Sequence, residues 1–349
     1  MAQKVRLGII GAGNFTQMAL LPNFKKLPDV DVVVVCNRTL DSVKQVAEKF
    51  GVGEYVTDYR DVLSRSDIDA VLIGTPPYFH LEGVQAALDA GKHVLCQTRI
   101  AEDSKQAMQI YEAGKKAEAK GLKTMLARTD SYVKGDLFIR HLLKTGYVGR
   151  VNQVFATRVL PNFVDSKAPL QRRQNIKNFG PINPMHIGLY WDVLAPWFGD
   201  ARRVTAHHYT FTTEREETPG GPRIKVELPD SVTAIAEMDS GAVVTNTQMW
   251  AGHFGSSKVE IYGEKGTIVY HAKGDEIWGA QAGDKELARL TIPPELVYEW
   301  QVESDFVKMV QGQKVEGTPT FLDGVKNMEY LEAVYKSGKE GRAVDLPRH

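Results

Sequence analysis

The sequence predicts an α/β protein in which a doubly wound parallel sheet is followed by an α+β domain with a mostly antiparallel open sheet. Three observations support this class. An apolar strand runs into a glycine turn near the start, strand and helix patterns alternate through residue 127, and short alternating strands dominate later. A single core would be oversized for 349 residues. We therefore predict two domains, 1–127 and 128–349.

The first strand and its turn lie in Val5–Thr16, VRLGIIGAGNFT. Four apolar residues precede Gly11-Ala12-Gly13, and a helix is predicted from about Asn14. Glycines let the backbone approach a pyrophosphate, and the helix N-terminus favours its negative charge. The pattern indicates a dinucleotide-binding Rossmann turn, although Thr16 replaces the usual third glycine and a lone GxG is also compatible with a plain turn. The residues predicted here to bind the cofactor are Gly11, Gly13, Asn14 and Phe15.

The second strand, Asp31–Cys36, ends where such a fold contacts the adenosine ribose. An acidic residue there would bind the 2′-hydroxyl of NAD, whereas an arginine accommodates the 2′-phosphate of NADP. This chain has Asn37 and Arg38. The predicted cofactor is therefore NAD(P), with NADP slightly favoured. Arg38 stacked on the adenine, or solvated at the start of a helix, are the alternatives.

Two further strand ends bring polar loops to the same edge of the sheet. Thr75-Pro76-Pro77 follows the strand Ile68–Ile73, and Gln97-Thr98-Arg99 follows the strand His93–Cys96. Ligands of open α/β sheets bind at the carboxyl ends of strands. Thr75, Pro76, His80 and Gln97 are accordingly predicted to contact the cofactor. The remaining predicted elements are the helices Leu40–Phe50, Tyr59–Leu63, His80–Ala90 and Glu102–Lys120 and the strand Lys123–Ala127.

The second half changes to antiparallel patterns. We predict an exposed loop over Thr213–Pro229 and an irregular segment over 161–184. One face of a large open sheet needs cover, so a homodimer or homotetramer is expected. The predicted helices are Gly135–Leu143, Met185–Phe198 and Asp323–Gly338, and the predicted strands are Arg150–Leu160, Val204–Thr210, Ser231–Met238, Ala242–Met249, Lys258–Tyr262 and Thr267–Tyr270.

Composition excludes several classes of protein. Lysine plus arginine and aspartate plus glutamate both number 43, with a pI of about 7.1, so neither nucleic acid nor a membrane surface is an expected partner. The chain begins its first strand by Val5 without a signal peptide, and no apolar run is long enough for a membrane span. Cys36 and Cys96 end buried strands as free thiols. A cytoplasmic protein without a metal site is predicted, since no metal-ligand spacing occurs.

The order of motifs resembles the Gfo/Idh/MocA oxidoreductases, the family of glucose–fructose oxidoreductase and inositol dehydrogenase. The resemblance covers nearly the whole chain and implies a nicotinamide cofactor and a sugar or polyol substrate. The segments that carry it are GAG with Pro22, NRT at 37–39, TPPYFH at 75–80, GKHVLCQTRIA at 91–101, Gly149–Val151, IYGEKGTI at 261–268 and EAVYKSGKEGRAV at 332–344.

The chain departs from the family at the residues that handle the proton. Gln97, Thr98 and Arg99 stand where the family carries Glu-Lys-Pro. If Gly188 is aligned, His186 and Tyr190 take the places of the family's Asp and His. We interpret His186 as the proton carrier and Tyr190 as its partner, provided that a cation such as Arg99 lowers the pKa of the tyrosine. Thr98 would orient a hydroxyl, and Arg99 or Gln97 would fix the substrate. A histidine simply packed in a helix is the alternative.

A basic cluster follows the strand that begins the second domain. In the family this region borders the substrate pocket, and five cations there face only Asp165. An anionic group on the substrate would suit them, while a solvated loop or an oligomer contact explains them equally well. The predicted substrate-binding residues are Arg158, Arg172, Arg173, Lys177 and Asn183, and Lys167 is the fifth cation.

The resemblance implies an NAD(P)-dependent oxidoreductase acting on a CH–OH group, with a non-standard proton relay. Two alternatives stay open. One is a redox-neutral glycosidase or lyase that oxidises a ring carbon transiently and eliminates the aglycone. The other is a binding protein that has lost catalysis, which the missing lysine and histidine would explain.

Overall fold

The computed structural model describes residues 4–128, 133–171, 174–176, 182 and 187–349. The chain divides into two compact units. The first comprises residues 1–129 and 301–328, and the second comprises 130–300 and 329–349. The return of 301–328 to the first unit is not part of the predicted division, because nothing in the local sequence pattern indicates which core a late helix joins.

The first unit is built on six parallel strands in the order β3-β2-β1-β4-β5-β6, which is the classical dinucleotide-binding order. The predicted doubly wound sheet is confirmed. Its strands are β1 (Val5–Ile10), β2 (Val30–Cys36), β3 (Glu54–Val56), β4 (Ala70–Ile73), β5 (His93–Gln97) and β6 (Thr124–Ala127). Its helices are α1 (Leu21–Lys26), α2 (Leu40–Phe50), α3 (Tyr59–Leu63), α4 (His80–Asp89), α5 (Ser104–Glu118) and α8 (Val302–Val310), with the first part of α9 (Phe321–Glu340).

The helix that follows the glycine turn is not a plain α-helix. It is helical from Asn14, has π-helical geometry over Thr16–Leu20, and continues as α1. The side-chain amide of Gln17 donates to the carbonyl of Ala12 at 2.9 Å, back across the turn. π-Helical turns occur often at functional sites. The sequence predicted the helix but not this geometry.

The second unit contains a nine-stranded sheet in the order β16-β15-β14-β13-β7-β12-β11-β8-β17. All neighbours are antiparallel except β7 and β12, so the predicted mostly antiparallel sheet is confirmed. The strands are β7 (Val151–Val159), β8 (Ala201–Tyr209), β11 (Ser231–Met238), β12 (Val243–Met249), β13 (Ser257–Gly263), β14 (Gly266–His271), β15 (Glu276–Gln281), β16 (Ala288–Leu290) and β17 (Val344–Asp345). Its helices are α6 (Asp136–Lys144), α7 (Ile187–Phe198) and the last part of α9.

Helix α7 is almost completely buried within its unit, which explains its aromatic and apolar sequence. Trp191 stacks on Tyr330 of α9 with ring centroids 3.9 Å apart. Gly188 allows this close packing, because a Cβ there would lie 2.7 Å from the Leu331 side chain. Helix α7 thus has a fixed position and direction, which sets where Tyr190 lies.

The prediction of an exposed loop over Thr213–Pro229 is right about the exposure of most residues but wrong about the loop. The segment forms a hairpin of β9 (Glu214–Glu216) and β10 (Arg223–Lys225), and Arg215 is only 1% exposed. Its guanidinium donates to the carbonyls of Phe163, Asp165 and Ala168 at 2.6–2.9 Å. Buried carbonyls require donors, and a buried guanidinium supplies several. The charged residue therefore holds the segment after β7 rather than facing water.

No helix in the described part of the chain is both long enough and apolar enough to cross a membrane.

Candidate functional site

The turn after β1 is held tightly against the end of β4. Gly11 has φ +89°, and a Cβ there would lie 2.5 Å from Thr75 Cγ2 and 2.7 Å from Thr75 N. The first bond of the next helix runs from the Gln17 N–H to the Gly13 carbonyl at 2.9 Å. The first N–H groups of a helix point away from its body and are available to a partner outside it. The strand, turn and helix N-terminus therefore form the predicted backbone cradle for an anion.

A different glycine replaces the missing third glycine of the motif. Thr16 is fully buried, and its hydroxyl donates to the Gly11 carbonyl at 3.3 Å. A Cβ on Gly74, at the end of β4, would collide with the Thr16 hydroxyl and come within 2.5 Å of the Gly11 carbonyl. The close approach of helix and strand is therefore kept by a glycine on the neighbouring strand. The sequence pattern missed Gly74 because the pairing is spatial.

The end of β2 contacts the turn through Asn37. Its side-chain oxygen accepts the Ala12 N–H at 2.8 Å, and its nitrogen donates to the Ser42 hydroxyl at 2.9 Å. Arg38 is exposed and makes no hydrogen bond or ion pair with any residue that the structure describes. Asn37 is thus occupied in shaping the turn, while Arg38 leaves a charged group available at this corner.

A buried histidine, His80, holds the loop after β4 in place. His80 is 1% exposed, and its two ring nitrogens lie 2.8 Å from the Thr75 carbonyl and 3.1 Å from the Ile100 carbonyl. Burial lowers the pKa of this imidazole. His80 therefore ties the loop after β4 to the loop after β5. Thr75 Oγ1, in the loop after β4, is buried without a partner among the described residues. In the same loop Pro76 precedes the short 3₁₀ turn Pro77–Phe79.

The loop after β5 carries three of the predicted site residues, Gln97, Thr98 and Arg99. Gln97 ends the strand, with its Oε1 3.5 Å from where a Cβ on Gly74 would lie. The Thr98 N–H donates to the Ala127 carbonyl at 2.9 Å, and the Thr98–Arg99 peptide bond is cis. Gln97, Thr98 and Arg99 are all partly exposed. The structure thus brings Gly11, Gly74, Thr75 and Gln97 together at one edge of the sheet.

In the second unit, Tyr190 lies close to Arg158. Tyr190 is 7% exposed, and the Arg158 guanidinium carbon lies 6.0 Å from its ring centroid. Its hydroxyl has no hydrogen-bond partner among the residues that the structure describes. Burial raises the pKa of Tyr190 to about 12, and Arg158 offsets only part of this rise. The expectation of a lowered pKa is therefore wrong, because desolvation outweighs the cation. Tyr190 keeps its proton at neutral pH.

Two polar residues that sequence reasoning missed lie on the same face of the sheet. Gln248 is directly opposite Arg158 in the parallel register of β7 and β12, and it is fully buried. Its Nε2 donates to Oδ1 of Asn246 at 2.9 Å, while Oε1 of Gln248 has no partner. Strand alternation alone puts an even-numbered residue of β12 on the buried face. The signal that the sequence offered was therefore a polar residue at a position that strand alternation predicts to be buried.

Several predicted site residues lie outside the described residues. They are His186, Arg172, Arg173, Lys177 and Asn183. Of the other basic residues in that cluster, Lys167 is exposed and Arg158 is partly buried at the end of β7. Within the described ranges, no group of three or more histidine, cysteine or acidic residues is arranged to hold a metal ion.

Comparisons with known proteins agree with this architecture. Residues 5–123 match the model of an oxidoreductase family with an NAD-binding Rossmann fold, and residues 137–269 match the model of the GFO/IDH/MocA C-terminal domain. Levoglucosan dehydrogenase of Pseudarthrobacter phenanthrenivorans is 25% identical, with 99% of each chain covered. A dTDP-sugar 3-reductase of Actinomadura kijaniata is 30% identical over 46% of this chain and 47% of that protein.

Solved structures are similar over the full length. An oxidoreductase domain protein from Kribbella flavida superposes with a TM-score of 0.84 at 26% identity, covering 99% of this chain and 100% of that one. Levoglucosan dehydrogenase in complex with NADH and L-sorbose also gives a TM-score of 0.84, at 22% identity and 99% coverage of both chains. The second likeness shows a shared fold.

Proposed function

This chain belongs to the GFO/IDH/MocA family of oxidoreductases, and from that premise we propose that it acts on a CH–OH carbon of a sugar, sugar derivative or polyol. The reaction is transfer of a hydride to or from NAD(P). The observation that carries the proposal is the backbone cradle at the end of β1, where Gly11 packs against Thr75 with no space for a side chain.

The residues of the cradle fit a dinucleotide. At Gly13 a Cβ would meet only the Gly74 carbonyl, at 3.6 Å, so the space beside this glycine is free for a pyrophosphate. The start of the helix at Asn14 supplies N–H donors and a favourable dipole. Bound there, the cofactor would accept or deliver the hydride at its nicotinamide ring.

For the cofactor's adenosine end, we propose that Arg38 favours NADP. The site of the ribose lies after β2, and Asn37 is already bonded to the turn and to Ser42. An exposed guanidinium without an ion-pair partner among the described residues suits a 2′-phosphate.

The chain must also manage one proton at the reacting hydroxyl. Tyr190 serves as a neutral hydrogen-bonding group, since burial raises its pKa to about 12. We assign the proton to His186, because histidine is the side chain that most readily gives and takes a proton at neutral pH. Thr98 orients the hydroxyl in place of the family's lysine, and Arg99 contacts the substrate. Arg158 supports the substrate from β7, beside Tyr190.

The substrate class follows from the family and from the polar groups of the second unit. Levoglucosan dehydrogenase binds L-sorbose and levoglucosan in its solved complexes. A side-chain amide, a phenol and a guanidinium together, as in Gln248, Tyr190 and Arg158, are groups that hydrogen-bond sugar hydroxyls.

A titration of cofactor-stripped protein with NAD, NADP and their reduced forms tests the proposal first. We expect micromolar binding, tighter for the NADP forms, followed by net oxidation or reduction of the nicotinamide with at least one sugar. Release of an aglycone without net cofactor turnover would instead indicate the redox-neutral lyase. Binding of none of the four cofactors would contradict the enzyme altogether and leave a binding protein.

We also propose that a second copy of the chain covers the open face of the nine-stranded sheet. Phe155, Ile235 and Tyr262 project from this face with 38–44% of their surface exposed. Apolar patches of this kind mark protein interfaces. Light scattering on the eluted protein should give the mass of a dimer or tetramer, and Phe155→Glu should shift it toward the monomer. A monomeric parent protein would contradict this proposal.

A further inference from the structure

A polar strip interrupts the otherwise apolar buried face of β7 and β12. Val154, Ala156 and Val244 on this face are buried and apolar, but Asn246, Gln248 and Arg158 follow them toward the carboxyl ends of the two strands. The two strands are parallel, so both ends reach the same edge of the sheet. Polar side chains in a core are uncommon unless something satisfies them.

The hydrogen bonds of this strip are incomplete. Gln248 donates to Asn246 at 2.9 Å, which leaves Gln248 Oε1 as a buried acceptor and Asn246 Nδ2 as a buried donor, neither with a partner among the described residues. The Tyr190 hydroxyl is likewise buried and unpartnered. Each unsatisfied buried group costs about 1–3 kcal/mol. Three such groups, two of them on a strip that also carries the Arg158 guanidinium, mark a place where a ligand supplies the missing bonds.

We propose that Gln248 determines substrate specificity by binding, together with Tyr190 and Arg158, adjacent hydroxyls of a neutral sugar or polyol in preference to a carboxylate. This inference rests on the function proposed above and names the substrate class of the same site. Gln248 Oε1 needs a donor, Arg158 offers only donors, and the Tyr190 hydroxyl can do both. A pair of hydroxyls donates to Gln248 Oε1 and accepts from Arg158 and Asn246 Nδ2, so it satisfies both the acceptor and the donors of this strip.

A carboxylate satisfies the set only in part. It would accept bonds from Arg158 and Tyr190, but it has no hydrogen for Gln248 Oε1 and would place its charge against that oxygen. Arg158 alone would favour an anion, as the basic cluster of the sequence also suggests. The uncharged acceptor opposite Arg158 in the strand register is what reverses this preference.

The test measures binding of sugars to the full-length protein by calorimetry, with and without NADH. The neutral probes are D-glucose, L-sorbose and levoglucosan, and the acidic probes are D-glucuronate and D-gluconate. We expect the tightest neutral probe to bind at least about 10-fold more tightly than the tightest acid, since one unsatisfied buried acceptor is worth about this factor. Equal or tighter binding of an acid would overturn the inference.

Two variants at Gln248 move this ratio in opposite directions. Gln248→Met removes the acceptor and should bring the neutral-to-acid ratio to one or below, because Arg158 alone favours an anion. Gln248→Glu adds a negative charge and should widen the ratio. Gln153→Met, the same change on the opposite face of the sheet, is the matched control and should leave the ratio unchanged. A purely structural role of Gln248 would weaken both classes of probe equally and leave the ratio fixed, and this result would also overturn the inference.

The two proposals fail in distinguishable ways. If NADH binds but none of the five probes does, the specificity inference is wrong while the cofactor site stands. If the sugars bind with the expected ratio but the nicotinamide is never oxidised or reduced, the specificity inference stands and the proposed oxidoreductase activity is wrong.

Discussion

The two units differ in which groups carry their predicted binding functions. In the first unit the predicted cofactor site consists mostly of backbone, because Gly11, Gly13 and Gly74 let main-chain groups approach closely at one edge of the sheet. In the second unit the predicted binding groups are side chains, those of Arg158 and Gln248, which are register partners on β7 and β12. At Gly11 and Gly74 this backbone tolerates no added Cβ, since the atoms in the way include the chain itself. Where side chains form the binding groups, replacing one by a residue of the same shape should leave folding intact but weaken binding of the ligand.

The largest expected effect is that of Gly11→Ala. The new Cβ would lie 2.7 Å from the Thr75 backbone nitrogen at a φ of +89°, so both the clash and the strain must be relieved by moving the turn. We expect the free energy of unfolding to fall by about 2–4 kcal/mol. Cofactor affinity should fall by at least about 100-fold. Urea denaturation and calorimetry measure the two effects.

Gly13→Ala sharpens this comparison within one turn. Its Cβ would meet only the Gly74 carbonyl at 3.6 Å, an ordinary contact. Stability should therefore change by less than about 1 kcal/mol, while cofactor affinity drops because the methyl group occupies the space beside the pyrophosphate. If Gly13→Ala unfolds the protein as much as Gly11→Ala does, the cradle is a structural turn only.

Tyr190→Phe should separate recognition from folding in the second unit. The change removes a buried hydroxyl that has no partner, so the free energy of unfolding should stay constant or rise by up to about 1 kcal/mol. Turnover should fall by about 10-fold, since the hydroxyl bonds the substrate. Denaturation and steady-state kinetics on the same preparation test both.

Tyr270→Phe is the matched control, because the Tyr270 hydroxyl donates to Asp275 at 2.7 Å. Loss of this bond should destabilise the protein by about 1 kcal/mol and leave the KM for the sugar unchanged. A destabilised Tyr190→Phe with unaltered turnover would mean that the Tyr190 hydroxyl does not contact substrate.

The difference between backbone and side-chain binding groups also explains how much of each unit the sequence predicts. The glycine turn is local, so the spacing of Gly11 and Gly13 is enough to indicate it. The compensation of Thr16 by Gly74 is not local, since the two residues meet only when β4 lies beside β1. No pattern within either segment indicates that one glycine has replaced another.

The second unit shows the limit more strongly. Register between distant strands sets Gln248 opposite Arg158, and a shift by one residue would turn either side chain to the other face. The charge and glycine content of Thr213–Pro229 predicted exposure, yet Arg215 is buried because three carbonyls of the segment after β7 need its donors. Composition indicates only the average exposure of a segment, so it misses a single residue that a buried hydrogen-bond cluster removes from water.

Removing the charge at the adenosine corner should have a smaller effect that is confined to one cofactor. Arg38→Ala should weaken NADP binding by about 10-fold, the loss of one charge-assisted contact, and change NAD binding by less than about twofold. Because Arg38 is exposed, unfolding should be unaffected. Titration of both cofactors measures this. An equal loss for NAD and NADP would indicate that Arg38 stacks on the adenine instead.

The smallest expected effect is a pH dependence of stability that both units share. Burial lowers the pKa of His80 and His93 in the first unit and of His208 in the second. The unfolded state then binds more protons than the folded state once the pH falls below about 6.5, so stability decreases from there toward acid. Urea midpoints should be lower at pH about 5.5 than at about 7.5.

His208→Leu tests the origin of this slope. The Nε2 atom of His208 is buried without a partner, so its replacement by an apolar side chain loses no hydrogen bond at that atom and removes one group that must be kept neutral. The variant should therefore show a shallower decrease of stability between pH about 7.5 and 5.5. An undiminished slope would assign the effect to His80 and His93, and a midpoint that rises on acidification would contradict the sign for all three histidines.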